Sequence, residues 1–429
     1  MKKIKVVLIN HFSTSAIRER LDLVPESDIV NYRDIALWNH YIINGLKGRD
    51  DVELHVISPH VGMRRAMQTF EMDGVCYYFY RQEPLGLKGR IEARLRWQSN
   101  RNFPRNRKHT HRFIEKIQPD LVVLIGAENA YYSITALDVR DMPLMIQLQT
   151  VYANPDRVKN AGGVNKQRWN VEVQLFRKTP YMACTGRMYY DLVKGYNPDA
   201  IVFPRMWPVS KFPVVADIEK KYDFVYFARF LNKNKGFDNA IEAMGEFVKI
   251  YPNVRYLAVG SKDSDWPQFE KRIKELELER NLEIHGSFEQ HIDLLSYVKQ
   301  GRFALLPITM DVLSGTILEA MRMGMPVVTC RTSGTPSLNE KRETVLISDI
   351  GDIEGLCQNM KRLYESESLQ ATLRNNAALY LKEKDEANNH NVDKMVEQFK
   401  AVIGHYRNGT PIPQDLLYNT EVNKDYRKL

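Results

Sequence analysis

The chain has 429 residues, 44% of them hydrophobic and 27% charged, with a formal net charge of +8; this excludes a disordered or fibrous chain and gives room for two domains, each with its own core. Its four cysteines, Cys76, Cys184, Cys330 and Cys357, stand far apart in sequence, which argues against a disulfide framework or paired-thiolate metal site and points to a reducing, cytoplasmic setting. No run approaches the roughly 18 apolar residues that a bilayer span requires, and the stretch after Met1-Lys2-Lys3 is too short for a signal sequence and reads as a first strand.

Taken in chain order, the first half alternates apolar runs with helical patterns, which predicts α/β architecture with a parallel sheet and helices on both faces. Val6 to Asn10 is the first strand and Ile35 to Leu46 the amphipathic helix that follows it. Further strands are expected at Glu53 to Ser58, Val75 to Tyr80, Leu121 to Gly126, Leu144 to Leu148, Met182 to Thr185 and Ile201 to Phe203. Trp207 to Ala216 is short and punctuated by proline, as a linker would be. From about Asp217 the pattern restarts, with strands at Phe224 to Phe227, Arg255 to Gly260, Leu282 to His285, Phe303 to Pro307, Val327 to Cys330 and Val345 to Ile347. The expected division is therefore 1–208, 217–390, a helix at 391–407 and a polar, loose tail at 408–429.

One segment stands apart in composition. Arg81 to Arg112 holds ten basic residues against Glu83 and Glu92, an excess of eight that equals the net charge of the whole chain. Leu87, Ile91 and Leu95 recur every four residues among the cations, with Trp97 beside them. Three readings share this pattern: a solvated basic helix packed by its leucines, a helix lying on an anionic membrane surface or acceptor, and a nucleic-acid surface, the last being the least favoured.

The second half carries the chemistry. Between Pro307 and Pro326 a buried-strand pattern gives way to a polar turn containing Asp311, Ser314, Gly315 and Thr316, and Ile317 to Met321 then begins a helix. A strand, a Ser-Gly-Thr turn and a helix leave backbone N–H groups aimed at the strand's carboxyl end, where a phosphate is held by hydrogen bonds and the helix dipole. Glu319 lies early in that helix, placed to accept hydrogen bonds from vicinal sugar hydroxyls, although Asp311 and Ser314 as a plain helix cap and Glu319 as a solvated charge fit equally well in isolation. Upstream, the strand pattern Phe224 to Phe227 runs into Ala228-Arg229-Phe230-Leu231-Asn232-Lys233-Asn234-Lys235-Gly236 and a helix from Phe237 to about Tyr251.

Asp311-x7-Glu319-Ala-Met followed by Gly324-Met-Pro-Val-Val, with Arg229 and Lys235-Gly236 upstream, resembles the signature of the family 4 retaining glycosyltransferases, of glycosyltransferase group 1 type. Asp311 stands where the family usually has Glu, Leu313-Ser314-Gly315 differs from its usual run, and Ala228 replaces a Gly. The resemblance implies the GT-B architecture, two Rossmann-like domains with parallel sheets facing across a cleft and a last helix that crosses back to the first domain. It implies a nucleoside-diphosphate sugar as donor and a glycan or lipid-linked saccharide as acceptor, in bacterial surface polysaccharide synthesis. By position, Arg229 and Lys235 would grip the diphosphate, with Lys233 competing for the second role. Ser314, Gly315 and Thr316 would bind phosphate, Glu319 the ribose, Asp311 the donor sugar, and Ser287 and Phe288 the base. On the acceptor side the candidates are His11, Glu128, Gln149 and Thr150; the family's His after the fifth strand is absent, as is its Gly-Gly turn after the first.

Asp263-Ser264-Asp265 has the spacing of a metal-binding pair but lies in a polar loop, so no metal and no cofactor are expected, the protein's own cations taking that role. In the family, retention is attributed to front-face attack, with a leaving phosphate oxygen taking the acceptor's proton. Two rivals stay open at this point: a GT-B epimerase or phosphorylase, and a non-catalytic nucleotide-sugar-binding protein.

Overall fold

In the computed structural model, which describes residues 3–25, 35–154, 163–208 and 212–421, the chain divides into two compact units. One is formed by Met1–Ser210 with Asn388–Lys424, the other by Lys211–Ala387. Residues 209–211 of the expected linker and 422–429 of the expected tail lie outside the described residues.

The first unit is built on eight strands: β1 (Ile4–Ile9), β2 (Val52–Pro59), β3 (Met67–Met72), β4 (Val75–Tyr80), β5 (Leu121–Ile125), β6 (Leu144–Gln147), β7 (Tyr181–Cys184) and β8 (Ile201–Pro204). They lie in the order β3-β4-β2-β1-β5-β6-β7-β8. Central strands of such a sheet are covered on both faces, which is why Val6, Val7, Leu8 and Ile9 form an unbroken apolar run and are all fully buried. Val6 and Leu8 share a core with Ile42 and Ile43 of the helix Leu37–Leu46 and with Met395, Phe399 and Val402 of the helix Asn391–Asn408. Each such apolar side chain contributes about 1.5–3 kcal/mol when fully buried, so the C-terminal helix is an integral part of this unit.

The expected parallel sheet is present, and two details depart from expectation. The sheet is not wholly parallel: β3 pairs antiparallel with β4 through a two-residue turn, Asp73-Gly74, with both residues at positive φ (54° and 72°). The Asp-Gly dipeptide between Met67–Met72 and Val75–Tyr80 is the sequence mark of a type I′ hairpin, and the alternating exposure of β3 fits an edge strand. The tail is also not loose where it is described, because Leu416 and Tyr418 are buried and Tyr418 stacks on Tyr190 at 4.9 Å.

The second unit has six strands: β9 (Tyr222–Leu231), β10 (Tyr256–Lys262), β11 (Leu282–His285), β12 (Gly301–Leu306), β13 (Val327–Cys330) and β14 (Leu346–Ser348). All neighbours are parallel, in the order β11-β10-β9-β12-β13-β14. This is the doubly wound order in which the chain starts in the middle, builds outward on one side, then returns to build on the other. The direction reverses between β9 and β12, and ligands of such sheets bind outside the carboxyl ends of the strands at that reversal. The first unit reverses in the same way between β1 and β5.

Candidate active site

Chain segments leaving β9 and β12 meet at the reversal point of the second unit. Arg229, Phe230 and Leu231 are the last residues of β9, and the turn Asn232-Lys233-Asn234-Lys235-Gly236 then leads into the helix Phe237–Ile250. Asn232 opens the turn by accepting a hydrogen bond from the Lys235 N–H at 3.1 Å, and its amide donates to Asp263 at 3.0 Å. Asp265 accepts from the Lys233 N–H at 3.2 Å, so both aspartates of the Asp263-Ser264-Asp265 loop brace this turn. Gly236 closes it at φ 72°, and a Cβ there would lie 1.7 Å from the Pro307 carbonyl oxygen. Only glycine satisfies both demands. This backbone contact sets the turn against the segment after β12, where Thr309 shares its hydroxyl proton between the carbonyls of Lys233 (3.0 Å) and Asn234 (3.1 Å).

The consequence is a pairing across 76 residues of sequence: the Lys235 ammonium meets the Asp311 carboxylate in an ion pair that leaves both side chains about a quarter to a third exposed. Lys235, and not Lys233, is therefore the cation brought to the acid. Arg229 is exposed at the end of β9, its guanidinium 5.3 Å from the Phe230 ring centroid. The expected roles of Lys235 on phosphate and Asp311 on sugar were separate ones, whereas the fold couples the two groups.

Beyond Asp311 the chain enters the helix Gly315–Arg322 with Ser314 at the N-cap. Ser314 is buried and its hydroxyl turns to Thr316 Oγ1 at 3.0 Å, so no side chain caps the helix; the Ile317 N–H donates to the Ser314 carbonyl at 3.2 Å, which leaves the N–H groups of Gly315 and Thr316 to face an anion. A Cβ at Gly315 would meet nothing within 4 Å, so this residue borders open space. The loop is steadied from β13, since Thr332 Oγ1 donates to the Val312 carbonyl at 2.5 Å.

Glu319 has a partner that sequence reasoning missed. His291 Nε2 lies 3.0 Å from Glu319 Oε1, with both side chains about a quarter exposed. The hydrogen bond to Glu319 raises the His291 pKa above its ordinary value, against the opposing effect of burial. Only one carboxylate oxygen is taken, which leaves the other to accept from a ligand. A histidine 28 residues away in sequence carries no local signal; its place as the first residue of the helix after β11 was the one available hint. Phe288 stacks on His285 at 4.5 Å and packs near Tyr297 at 5.2 Å, while Ser287 beside it is exposed. Among the described residues no three or more His, Cys, Asp or Glu side chains gather as a metal site.

Residues 210–380 match the model of the family described as "Glycosyl transferases group 1". The match marks this segment as similar to that family. A curated relative, the 2-deoxystreptamine N-acetyl-D-glucosaminyltransferase of Niallia circulans, is 24% identical over 153 residues, 35% of this chain. The match spans only 38% of that relative's own length. Among solved structures, the sucrose-phosphate synthase of Thermosynechococcus elongatus superposes with a TM-score of 0.69 at 13% identity, covering 93% of this chain and all of that one. A trehalose-6-phosphate structure from E. coli, bound with UDP-2-fluoro glucose, gives a TM-score of 0.64 at 9% identity over 92% of this chain and 99% of that one. At such identities the likeness establishes the fold, the GT-B architecture of two Rossmann-like units. Every donor-side candidate named above lies within the group 1 segment.

The acceptor-side candidates fall in the first unit, beyond the carboxyl ends of the neighbouring strands β1, β5 and β6. His11 lies against Tyr131 and Tyr132, with ring centroids at 5.6 and 5.3 Å. Glu128 is buried, while Gln149 and Thr150 are half-buried. Sequence reasoning did not single out Arg205. It is buried with its guanidinium 3.6 Å from the Trp207 ring centroid, and it donates to the Leu148 carbonyl at 2.6 Å. Burial pulls its pKa down to about 9, and the nearby Glu128 carboxylate opposes that shift.

Proposed function

We propose that this protein is a retaining glycosyltransferase that moves a hexosyl group from a nucleoside-diphosphate sugar to a hydroxyl of a glycan or lipid-linked saccharide. The observation that carries this reading is the Lys235–Asp311 pair at the β9–β12 reversal point, beside the uncapped helix that starts at Gly315. Cation, carboxylate and backbone N–H groups together suit a ligand that presents diphosphate and sugar hydroxyls side by side. The group 1 match over the same residues supports it, as does the UDP-sugar held by one protein of this fold.

In the proposed reaction the bond between the anomeric carbon and the diphosphate oxygen breaks while the acceptor oxygen bonds to the same face of the sugar. The acceptor's proton passes to the departing phosphate oxygen. Charge grows on the diphosphate as its bond breaks, so Arg229 and Lys235 stabilise the transition state more than the bound donor. Lys235 shares its ammonium between Asp311 and phosphate, and Asp311 accepts from a donor-sugar hydroxyl. Glu319, steadied by His291 through one oxygen, receives the ribose hydroxyls on the other. The protein's cations carry the charge, and transfer proceeds without a metal ion.

The test is release of nucleoside diphosphate from a panel of nucleotide sugars in chelator, with the anomeric configuration of any transferred sugar read by NMR. One donor class should be turned over with its configuration retained. Tight donor binding with no release at all would identify a binding protein, and an inverted product would rule out the retaining mechanism.

A further inference from the structure

The helix Gly86–Arg94 in the first unit is more exposed than a leucine-packed helix would be. Leu87, Ile91 and Leu95 are 74%, 49% and 62% exposed, and Leu85 just before the helix is 42% exposed. At about 100° per residue, Leu87, Ile91 and Leu95 share an arc of about 80°. Arg90 and Arg94 border that arc on one side and Lys88 on the other, all three exposed. The opposite face turns inward: Gly89 is buried, and Glu92 pairs with Arg105 at 3.0 Å.

Of the ten basic residues of the segment, Lys108 and Arg112 lie exposed on the later helix Pro104–Ile117, and the other eight divide accordingly. Arg81 donates to the carbonyls of Met63 and Arg64, Arg105 pairs with Glu92 and Arg107 pairs with Asp138, so these three hold the fold together. Lys88, Arg90, Arg94, Arg96 and Arg101 are exposed and make no ion pair among the described residues. Arg96 also lines a polar cavity of about 430 Å³ together with Ser99, Asn100, Asn102, Lys166 and Gln167. An apolar arc rimmed by cations that make no ion pair, with a polar recess nearby where Lys166 adds its ammonium to the Arg96 guanidinium, fits one kind of partner. We propose that this surface docks on an anionic phospholipid bilayer, with Leu85, Leu87, Ile91 and Leu95 entering the acyl boundary and the five cations meeting lipid phosphates. No helix among the described residues is long and apolar enough to cross a membrane, so the attachment is peripheral and reversible.

The test uses the full chain in sedimentation with phosphatidylcholine vesicles, with and without about 30% phosphatidylglycerol, a content that gives a strongly negative surface. Wild type should sediment only with the anionic vesicles and be released at about 1 M salt, where the Debye length falls to about 3 Å. Each near-surface cation is worth about a fivefold change in partitioning, so Arg90→Glu with Arg94→Glu should weaken binding by at least about 25-fold. Leu87→Ser with Leu95→Ser should weaken it comparably at unchanged charge. All four positions are exposed, so thermal unfolding of both variants should match wild type. Failure of wild type to bind anionic vesicles, or binding that both variants retain, would overturn the proposal. So would a wild-type dimer in the absence of lipid that Leu87→Ser with Leu95→Ser dissociates, because that would assign the arc to a second copy of the chain.

Discussion

The two units share a strand plan and place different chemistry at the same topological point. In the second unit the reversal between β9 and β12 carries Lys235 paired with Asp311, and Glu319 with His291 lies on the helices beside it. These charges are about a quarter exposed and within reach of a ligand. In the first unit the equivalent point between β1 and β5 carries Asn10, Glu128 and, one strand further, Gln147, with Asn10 and Gln147 fully buried. Aromatic rings surround that point, with His11 against Tyr131 and Tyr132. A paired, accessible set of charges suits phosphates and a charge-developing leaving group, whereas buried amides and rings, with the Glu128 carboxylate near the buried Arg205, suit neutral hydroxyls. The two reversal points thus carry different side chains, decided by the few residues that follow each strand.

The comparison breaks most visibly at the glycine that assembles the second site. Gly236→Ala forces a Cβ to within 1.7 Å of the Pro307 carbonyl from a left-handed backbone. We expect a loss of about 3 kcal/mol in denaturant unfolding, the upper end for strained backbone, together with loss of nucleotide binding. Gly315→Ala faces open space and should change stability by no more than about 0.5 kcal/mol while weakening phosphate binding. Equal effects of the two substitutions would show that the turn is not held by this contact.

The next largest effect concerns the cations. Arg229→Ala and Lys235→Ala should each lower kcat by about 100-fold, the scale for removing one fixed charge from a developing anion, and activity should survive EDTA. Loss of activity in chelator that added metal restores would contradict the assignment. By contrast Glu128→Gln and His11→Ala in the first unit should leave nucleoside diphosphate affinity within about twofold, as expected for residues that share no partner with the nucleotide contacts proposed in the second unit, and should act on the acceptor's KM instead.

The smallest effect sharpens the role of His291. Its pKa is raised in the folded state, mainly by the hydrogen bond to Glu319. The pair therefore stabilises the protein fully below the unfolded histidine value of about 6.5, and that contribution disappears as pH rises through the higher folded value. His291→Gln should cost about 0.5 kcal/mol at pH 5.5, the scale of a partly exposed pair, and next to nothing at pH 9. A cost that does not vary with pH would mean the two groups are not paired in solution.

Much of the fold was legible because both sheets are buried on two faces and write themselves as unbroken apolar runs, as at Val6–Ile9 and Phe303–Leu306. β3 was missed because an exposed edge strand such as Met67–Met72 carries polar residues at alternate positions, although Asp73-Gly74 marked its turn. The charged residues of the second site were visible as a pattern of spacing. Their pairing was not, because Lys235 meets Asp311 through backbone contacts at Gly236 and Thr309 that have no signature of their own. His291 was hidden for the same reason. Leu87, Ile91 and Leu95 show the converse limit: the period of four read correctly as one helix face, and only the fold reveals that this face looks outward.

The central claim is that the reversal point of the second unit, and not that of the first, receives the nucleotide. Calorimetric titration of uridine, guanosine and adenosine diphosphates into wild type, Glu319→Ala, Asp311→Ala and Glu128→Gln tests it directly, with the cognate nucleotide sugar as a second titrant. The account predicts that one nucleoside diphosphate binds and that Glu319→Ala weakens it at least tenfold, the loss of about 1.4 kcal/mol expected for a charged hydrogen-bonding group. Asp311→Ala should weaken chiefly the intact donor, and Glu128→Gln neither ligand. Nucleotide binding that survives Glu319→Ala and is lost in Glu128→Gln would contradict it.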